Sequence, residues 1–265
     1  MKIPGKILVT GARGGIGRAL VELLLDAGYE VWGTARNSQS LDGTGVHAVA
    51  LDLENPASIE AAAQQILAEA GTLHAVVHNA GDGVFGPADQ FPEGEMQRQF
   101  AVLCHGPWHL ARLLLPAIEQ NGRNIFVSSL AARMPIPGMA AYNAAKAALG
   151  VLAATARLEP QIVQRHWIEV QAGDTRTAFN DAARRFPVGV RQAAFDRLWK
   201  HVDAHLKHGV APEQIARTIF HAITTPRPPV RLTAGDFFQT KLAILAWRLL
   251  PARVMEALIR KFYGL

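Results

Sequence analysis

The sequence predicts an α/β fold in which a single doubly wound parallel sheet carries helices on both faces. Three observations point there. Short β-branched runs alternate with longer helical stretches, the runs are mostly apolar, and a glycine cluster joins the first run to the first helix. Strands this apolar are buried on both sides, as parallel strands between helical layers are. In order, residues 6–10 read as a strand and 16–27 as a helix with Leu20, Leu23 and Leu24 on one side, stopped by Gly28. Strands follow at 30–34 and 45–51, then an alanine-rich helix at 58–70. The pattern repeats with a strand at 75–79, a helix at 95–120, a strand at 124–128 and a helix at 142–158. A last, short strand is expected at 168–171.

No Pro/Ser/Gly linker and no internal repeat divides the chain, so residues 1–265 read as one domain. With 49% hydrophobic and 18% charged residues the chain is neither disordered nor dependent on disulfides or metal for a core. Cys104 stands alone, so no disulfide forms within the chain, and a reducing cytoplasm is the expected location. The first residues run straight into an apolar strand without the pattern of a signal peptide, and no run of about 20 apolar residues is present to span a membrane. The net charge is +5, with a pI near 9.7. Its lysines and arginines are dispersed and accompany no nucleic-acid motif, so a phosphate-bearing cofactor is the expected anionic partner rather than nucleic acid.

The cluster Thr10-Gly11-Ala12-Arg13-Gly14-Gly15-Ile16-Gly17 lies between the first strand and the first helix. Gly11 suits a tight turn, Gly15 lets backbone approach a pyrophosphate, and Gly17 lets helix pack on sheet, with the helix N-terminus facing the anion. A tight structural turn explains the glycines alone equally well; their position is what favours a dinucleotide. After the second strand come Thr34-Ala35-Arg36-Asn37, with no carboxylate for a ribose 2′-hydroxyl. Arg36, with Arg13 as a second cation, suits a 2′-phosphate, so NADP(H) is expected over NAD. The plainer reading is that both are surface arginines.

Ser129 ends a strand, Tyr142 follows thirteen residues later, and Lys146 four after that. Tyrosine and lysine at i and i+4 share a helix face and can enter one cleft. A phenol titrates near 10 when free, and an adjacent ammonium is expected to pull it toward working pH, where it can act as acid or base. Ser129 can hydrogen-bond a substrate oxygen.

Together the loop at 10–17, the Asn79-Ala80-Gly81 run and the set Ser129, Tyr142 and Lys146 resemble the short-chain dehydrogenases/reductases, over about residues 6–177. The resemblance implies a Rossmann-type sheet and a homodimer or homotetramer built on the alanine-rich helix bearing Tyr142. It implies hydride transfer between nicotinamide and a small-molecule ketone, aldehyde or alcohol. By it, Asp52 and Leu53 meet the adenine, Asn79 braces the sheet beside Ala80 and Gly81, and Lys146 also holds the nicotinamide ribose. Gly173, Thr175 and Thr177 meet the carboxamide and diphosphate, and Tyr142 protonates the ketone. Two departures stand out. Leu103 occupies the place, aligned on Gly106-Pro107, where many members have an asparagine that holds a relay water, and Ala172 replaces a proline.

Residues 179–208 are polar to mixed, without a strand signal, and are expected to form a lid over the sheet's C-terminal edge. His201, His205 and His208 in it have helical spacing, but neither a His-Glu-x-x-His motif nor cysteine ligands accompany them, so no metal is expected. Cys104 reads as a small core residue. Residues 237–265 alternate apolar and basic groups and are expected to form an amphipathic helix pair broken near Pro251, acting as a flap over the cleft or a neighbouring subunit, or lying on a membrane surface. Either role implies an apolar substrate. The alternatives are an NADP(H)-binding sensor or scaffold with weak turnover, given Leu103, and a non-redox epimerase or dehydratase.

Overall fold

The computed structural model describes residues 4–159, 164–179, 181–186 and 189–265. The chain runs through β1 (Lys6–Val9), α1 (Gly15–Asp26), β2 (Glu30–Ala35), β3 (His47–Ala50), α2 (Pro56–Ala70) and β4 (Leu73–His78). It continues through β5 (Val84–Phe85), α3 (Glu93–Phe100), α4 (Gly106–Leu114), β6 (Ile118–Ser129), α5 (Ala140–Ala156) and β7 (His166–Ala172). The last elements are β8 (Arg184–Arg185), α6 (Gln192–Lys207), α7 (Pro212–Thr224), β9 (Arg231–Ala234), α8 (Ile244–Leu249) and α9 (Ala252–Phe262).

Seven strands form one parallel sheet in the order β3-β2-β1-β4-β6-β7-β9. Neighbouring residues of each strand enter opposite layers, as the two-residue period of a strand requires. Val9, Val77, Ile125 and Ile168 pack against Leu20 and Leu24 of α1 and Ile215, Ile219 and Ile223 of α7. Leu8 and Val76 pack the other way, onto Ile59 and Ile66 of α2 and Leu110 and Leu114 of α4. Phe126 and Trp167 on that same side stack at 6.0 Å beneath Leu149 and Ala153 of α5. The expected doubly wound sheet with two helical layers is therefore the architecture of the chain.

Three expectations are corrected. The helix expected at 95–120 is broken into α3, a π-helical turn at Ala101–His105, α4 and a 3₁₀ turn at Leu115–Ala117. Pro107 lacks the N–H that an α-helix would direct at the Leu103 carbonyl, and Pro116 ends the run, after which 118–120 belong to β6. The lid segment carries strand after all, since Arg184–Arg185 pair in parallel with Val84–Phe85 in a separate two-stranded sheet. The seventh strand, β9, has no counterpart in the sequence reading.

β9 is fastened by charge. Arg231 Nε donates to Oε2 of the buried Glu169 at 2.6 Å, and Gln171 Nε2 donates to the other oxygen at 2.9 Å. Arg231→Ala is expected to cost about 2–3 kcal/mol, less than a fully buried pair because the arginine reaches solvent. Chemical denaturation measures this; a loss below about 0.5 kcal/mol would mean that Glu169 is solvated without its partner.

Candidate active site

Because the strands are parallel, the loops after β1, β2, β3, β4, β6 and β7 all open at one edge of the sheet, where ligands of such folds bind. Two adjoining clefts lie there. The smaller, about 360 Å³, is lined by Gly11, Gly15, Ile16, Arg36, Asp52, Leu53, Asn79, Ala80, Gly81 and Thr177 among others. The larger, about 660 Å³, is lined by Ser129, Tyr142, Lys146, Gly173, Thr175 and Thr177, and shares Ile16, Asn79 and Gly81 with the first. Two of the expected residues line neither. Arg13 projects into solvent from the glycine loop. Gly17 is buried behind it, where a Cβ would lie 2.2 Å from the Gly11 carbonyl oxygen.

Gly11 has φ +66°, a conformation that favours glycine, and turns the chain from β1 toward α1. Asn79 Nδ2 donates to the carbonyls of Thr10 and Gly11 at 3.0 and 3.3 Å, while the Asn79 and Ala80 N–H groups both reach Thr10 Oγ1 at 3.0 Å. The run after β4 thus braces the glycine loop. No side chain caps the N-terminus of α1, whose capping position is Gly14. Its first N–H groups are left for an anion, as a pyrophosphate requires.

Ser129 closes β6, and its Oγ accepts from the Ala131 N–H at 3.1 Å. Tyr142 and Lys146 point from one face of α5 into the same cleft, and the Ser128 hydroxyl donates to the Lys146 carbonyl at 3.2 Å, tying helix to strand. Lys146 Nζ donates to the Val127 carbonyl at 2.6 Å and lies 5.9 Å from the Tyr142 ring centre. Phe179 meets the tyrosine ring edge-on at 5.6 Å.

The electrostatics differ from the sequence expectation. Burial pushes the Tyr142 phenol up to about 12, against a hydrogen bond with Ser129 that favours the phenolate. Burial also brings the Lys146 ammonium down to about 8, against the opposing charge of Asp82. Desolvation, with the nearby Asp174 carboxylate, therefore outweighs the Ser129 hydrogen bond at the phenol, and at neutral pH the tyrosine keeps its proton while the lysine keeps its charge.

Several lining residues escaped the sequence. Met134, Ile136, Met139 and Phe179 make the larger cleft apolar. Asp174, inside the 173–177 stretch, is a carboxyl that burial pushes up, and it is grasped by the flap. Gln239 Nε2 donates to Asp174 Oδ2 at 2.5 Å, and Gln239 Oε1 accepts the Asp174 N–H at 3.0 Å. Leu103, on the π-helical turn, is buried in the cleft wall and offers no hydrogen-bonding side chain beside Gly81 and Lys146. Among the described residues no group of His, Cys, Asp or Glu has a metal-holding arrangement. His205 instead stacks on Phe262 at 4.2 Å, joining α6 to α9, and Arg184 reaches Glu95 at 2.7 Å, joining the 179–208 segment to α3.

A family model described as short chain dehydrogenase matches residues 5–186. A 3-ketodihydrosphingosine reductase of Bacteroides thetaiotaomicron is 28% identical over 269 aligned positions, covering 99% of each chain. The oxidoreductase YbbO of Escherichia coli is 27% identical, over 96% of this chain and 93% of its own. A solved short-chain dehydrogenase from Streptomyces avermitilis shares the fold with TM-score 0.80 at 28% identity, covering 98% of this chain and 99% of that one.

Proposed function

The chain belongs to the short-chain dehydrogenase family of oxidoreductases, and we propose that within it the protein is an NADP(H)-dependent reductase of apolar ketones or aldehydes. The observation that carries this reading is the convergence of Ser129, Tyr142 and Lys146 in one largely apolar cleft. NADPH supplies a hydride to the carbonyl carbon when it is bound. Gly11, Gly15 and the uncapped start of α1 would hold its diphosphate, and Arg36 at the rim of the smaller cleft its 2′-phosphate. Asp52, Leu53, Asn79, Ala80 and Gly81 would line the adenosine side, and Gly173, Thr175 and Thr177 the nicotinamide side. Arg13 adds only a distant cation.

The Ser129 hydroxyl orients the carbonyl oxygen, and Tyr142 gives that oxygen its phenolic proton as charge develops on it. The Lys146 ammonium stabilises the phenolate left behind. A phenol held near 12 keeps its proton at neutral pH and can give it to the developing alkoxide. The methionines and aromatics of the larger cleft support an apolar substrate, as does likeness to a relative named for reducing 3-ketodihydrosphingosine. The segments 179–208 and 237–265 serve as lid and flap. Turnover is tested by following NADPH loss with apolar and polar carbonyls; reduction of polar ones alone would overturn the substrate assignment.

Arg36→Ala is expected to raise the KM for NADPH by about 10–100-fold, the worth of a charge-assisted hydrogen bond to phosphate, and to leave that for NADH nearly unchanged. Steady-state kinetics with both cofactors reads this. Equal losses for the two would assign Arg36 no part in choosing between them. Leu103 favours a second reading, a protein that binds NADP(H) and turns over weakly, because no side chain there can hold a water beside Lys146.

A further inference from the structure

Residues 238–249 form one helical run, the π-helical Phe238–Ala243 continuing into α8, and the run lies across the larger cleft. Its inner side lines the cleft with Gln239, Ala243 and Ala246. Its outer side carries Phe238, Leu242, Leu245 and Leu249 at i, i+4, i+7 and i+11, a single stripe on a helix. Leu245 is 53% exposed and Leu249 72%. Lys241 and Arg248, seven residues apart, border that stripe.

α9 repeats the arrangement. Val254 and Leu258 are exposed along one side, with Arg253, Arg260 and Lys261 around them. Residues 237–265 hold five basic residues against one acid, Glu256. Three residues belong to both surfaces, since Phe238, Leu258 and Phe262 line the cleft and are each at least 40% exposed. The apolar wall of the cleft is thus continuous with the apolar outer stripe.

We infer that this basic, apolar surface rests on an anionic lipid bilayer, with the cleft mouth opening toward the lipid. Exposed apolar stripes of this extent mark interaction surfaces rather than ordinary solvent-facing helices. Charge selects the occupant. A second copy docked symmetrically through the same surface would set its lysines and arginines against their own like, whereas anionic headgroups pair with them. The stripe sinks into the acyl boundary while bordering lysine and arginine side chains reach back to the headgroups. Among the described residues no helix is long and apolar enough to cross a membrane, so the contact is interfacial. Entry of substrate from the lipid rests on the reductase reading; attachment to the bilayer does not.

The test is co-sedimentation of the full chain with vesicles of phosphatidylglycerol and phosphatidylcholine, against phosphatidylcholine alone. Partitioning at least about tenfold stronger on the anionic vesicles is expected, weakening as salt is raised. The triple variant Leu242→Glu, Leu245→Glu, Leu249→Glu alters no cleft residue, and it is expected to lose about tenfold or more of this binding with its thermal midpoint and NADPH binding kept. Failure of the wild type to prefer anionic vesicles overturns the inference, as does binding that the variant retains. A variant of smaller oligomeric state, from a wild type that ignores vesicles, assigns the surface to a second copy and also overturns it. Vesicle binding without turnover of any carbonyl would sustain the membrane surface while removing the reductase reading.

Discussion

Replacing Tyr142 with phenylalanine is expected to lower NADPH-dependent carbonyl reduction by about 10²–10⁴-fold, the usual contribution of a positioned general acid. The change removes one oxygen from a ring whose place against Phe179 is set by packing, so the cleft keeps its shape. NADPH binding should hold within about twofold, because the ring and Lys146 remain. The loss belongs in kcat, since the proton is needed only as charge appears on the substrate oxygen. A variant that kept its kcat would mean that some other group supplies the proton, and would remove Tyr142 from the chemistry.

The second large effect concerns charge at Lys146. Its ammonium is held down to about 8 by burial, so it is charged below that pH and neutral above it. Reduction uses the charged form, which stabilises the phenolate that Tyr142 becomes. The kcat/KM for reduction is therefore expected to be flat below pH about 8 and to fall above it, approaching tenfold per pH unit. Lys146→Met should cost about 10²–10³-fold at neutral pH, in the range of losing one preorganised electrostatic donor, and should abolish the break in the profile. A variant profile with the same break would assign the titration to another group. A wild-type rate that instead rose through pH 8 would mean that neutral lysine is the working form.

The fold was largely legible because its strands are buried on both faces. Runs such as Lys6–Val9 and Leu73–His78 have no polar alternation to confuse with an amphipathic helix. Where sequence failed, local signals were weak or contradictory. β9 is a half-exposed, four-residue strand after Pro226, Pro228 and Pro229, and it owes its place to Glu169, a partner 62 residues earlier. The break at Ala101–His105 lies inside an otherwise helical pattern, and only the proline at 107 hints at it. α7 is written in the spacing of Ile215, Ile219 and Ile223 behind Pro212, but its role depends on the crossover to that unrecognised strand.

The candidate site divides in the same way. The glycines, Ser129, Tyr142 and Lys146 stand at strand ends or on one helix face, where position and spacing point to them, while Asn79 came with the family resemblance. Arg13 shows the limit of that reasoning, for it belongs to the loop but lines no cleft, whereas Gly17 is buried where a side chain would meet the Gly11 carbonyl, as close helix packing requires. The Asp174–Gln239 clasp could not be read, because its partners lie 65 residues apart and only the return of the C-terminal segment joins them. The phenol's upward shift was equally hidden, since the i, i+4 spacing advertises the ammonium while burial of the ring, which dominates, is a property of the folded cleft.

The central claim is a stoichiometric reduction at this cleft, and it is tested most directly by measuring NADPH consumed and alcohol formed together. The purified chain would be offered long-chain apolar ketones alongside small polar ones. The account predicts one alcohol formed for each NADPH consumed, fastest with the apolar ketones and lost in Tyr142→Phe. Tight NADPH binding with no consumption by any carbonyl, or conversion of substrate without net loss of NADPH, would contradict it.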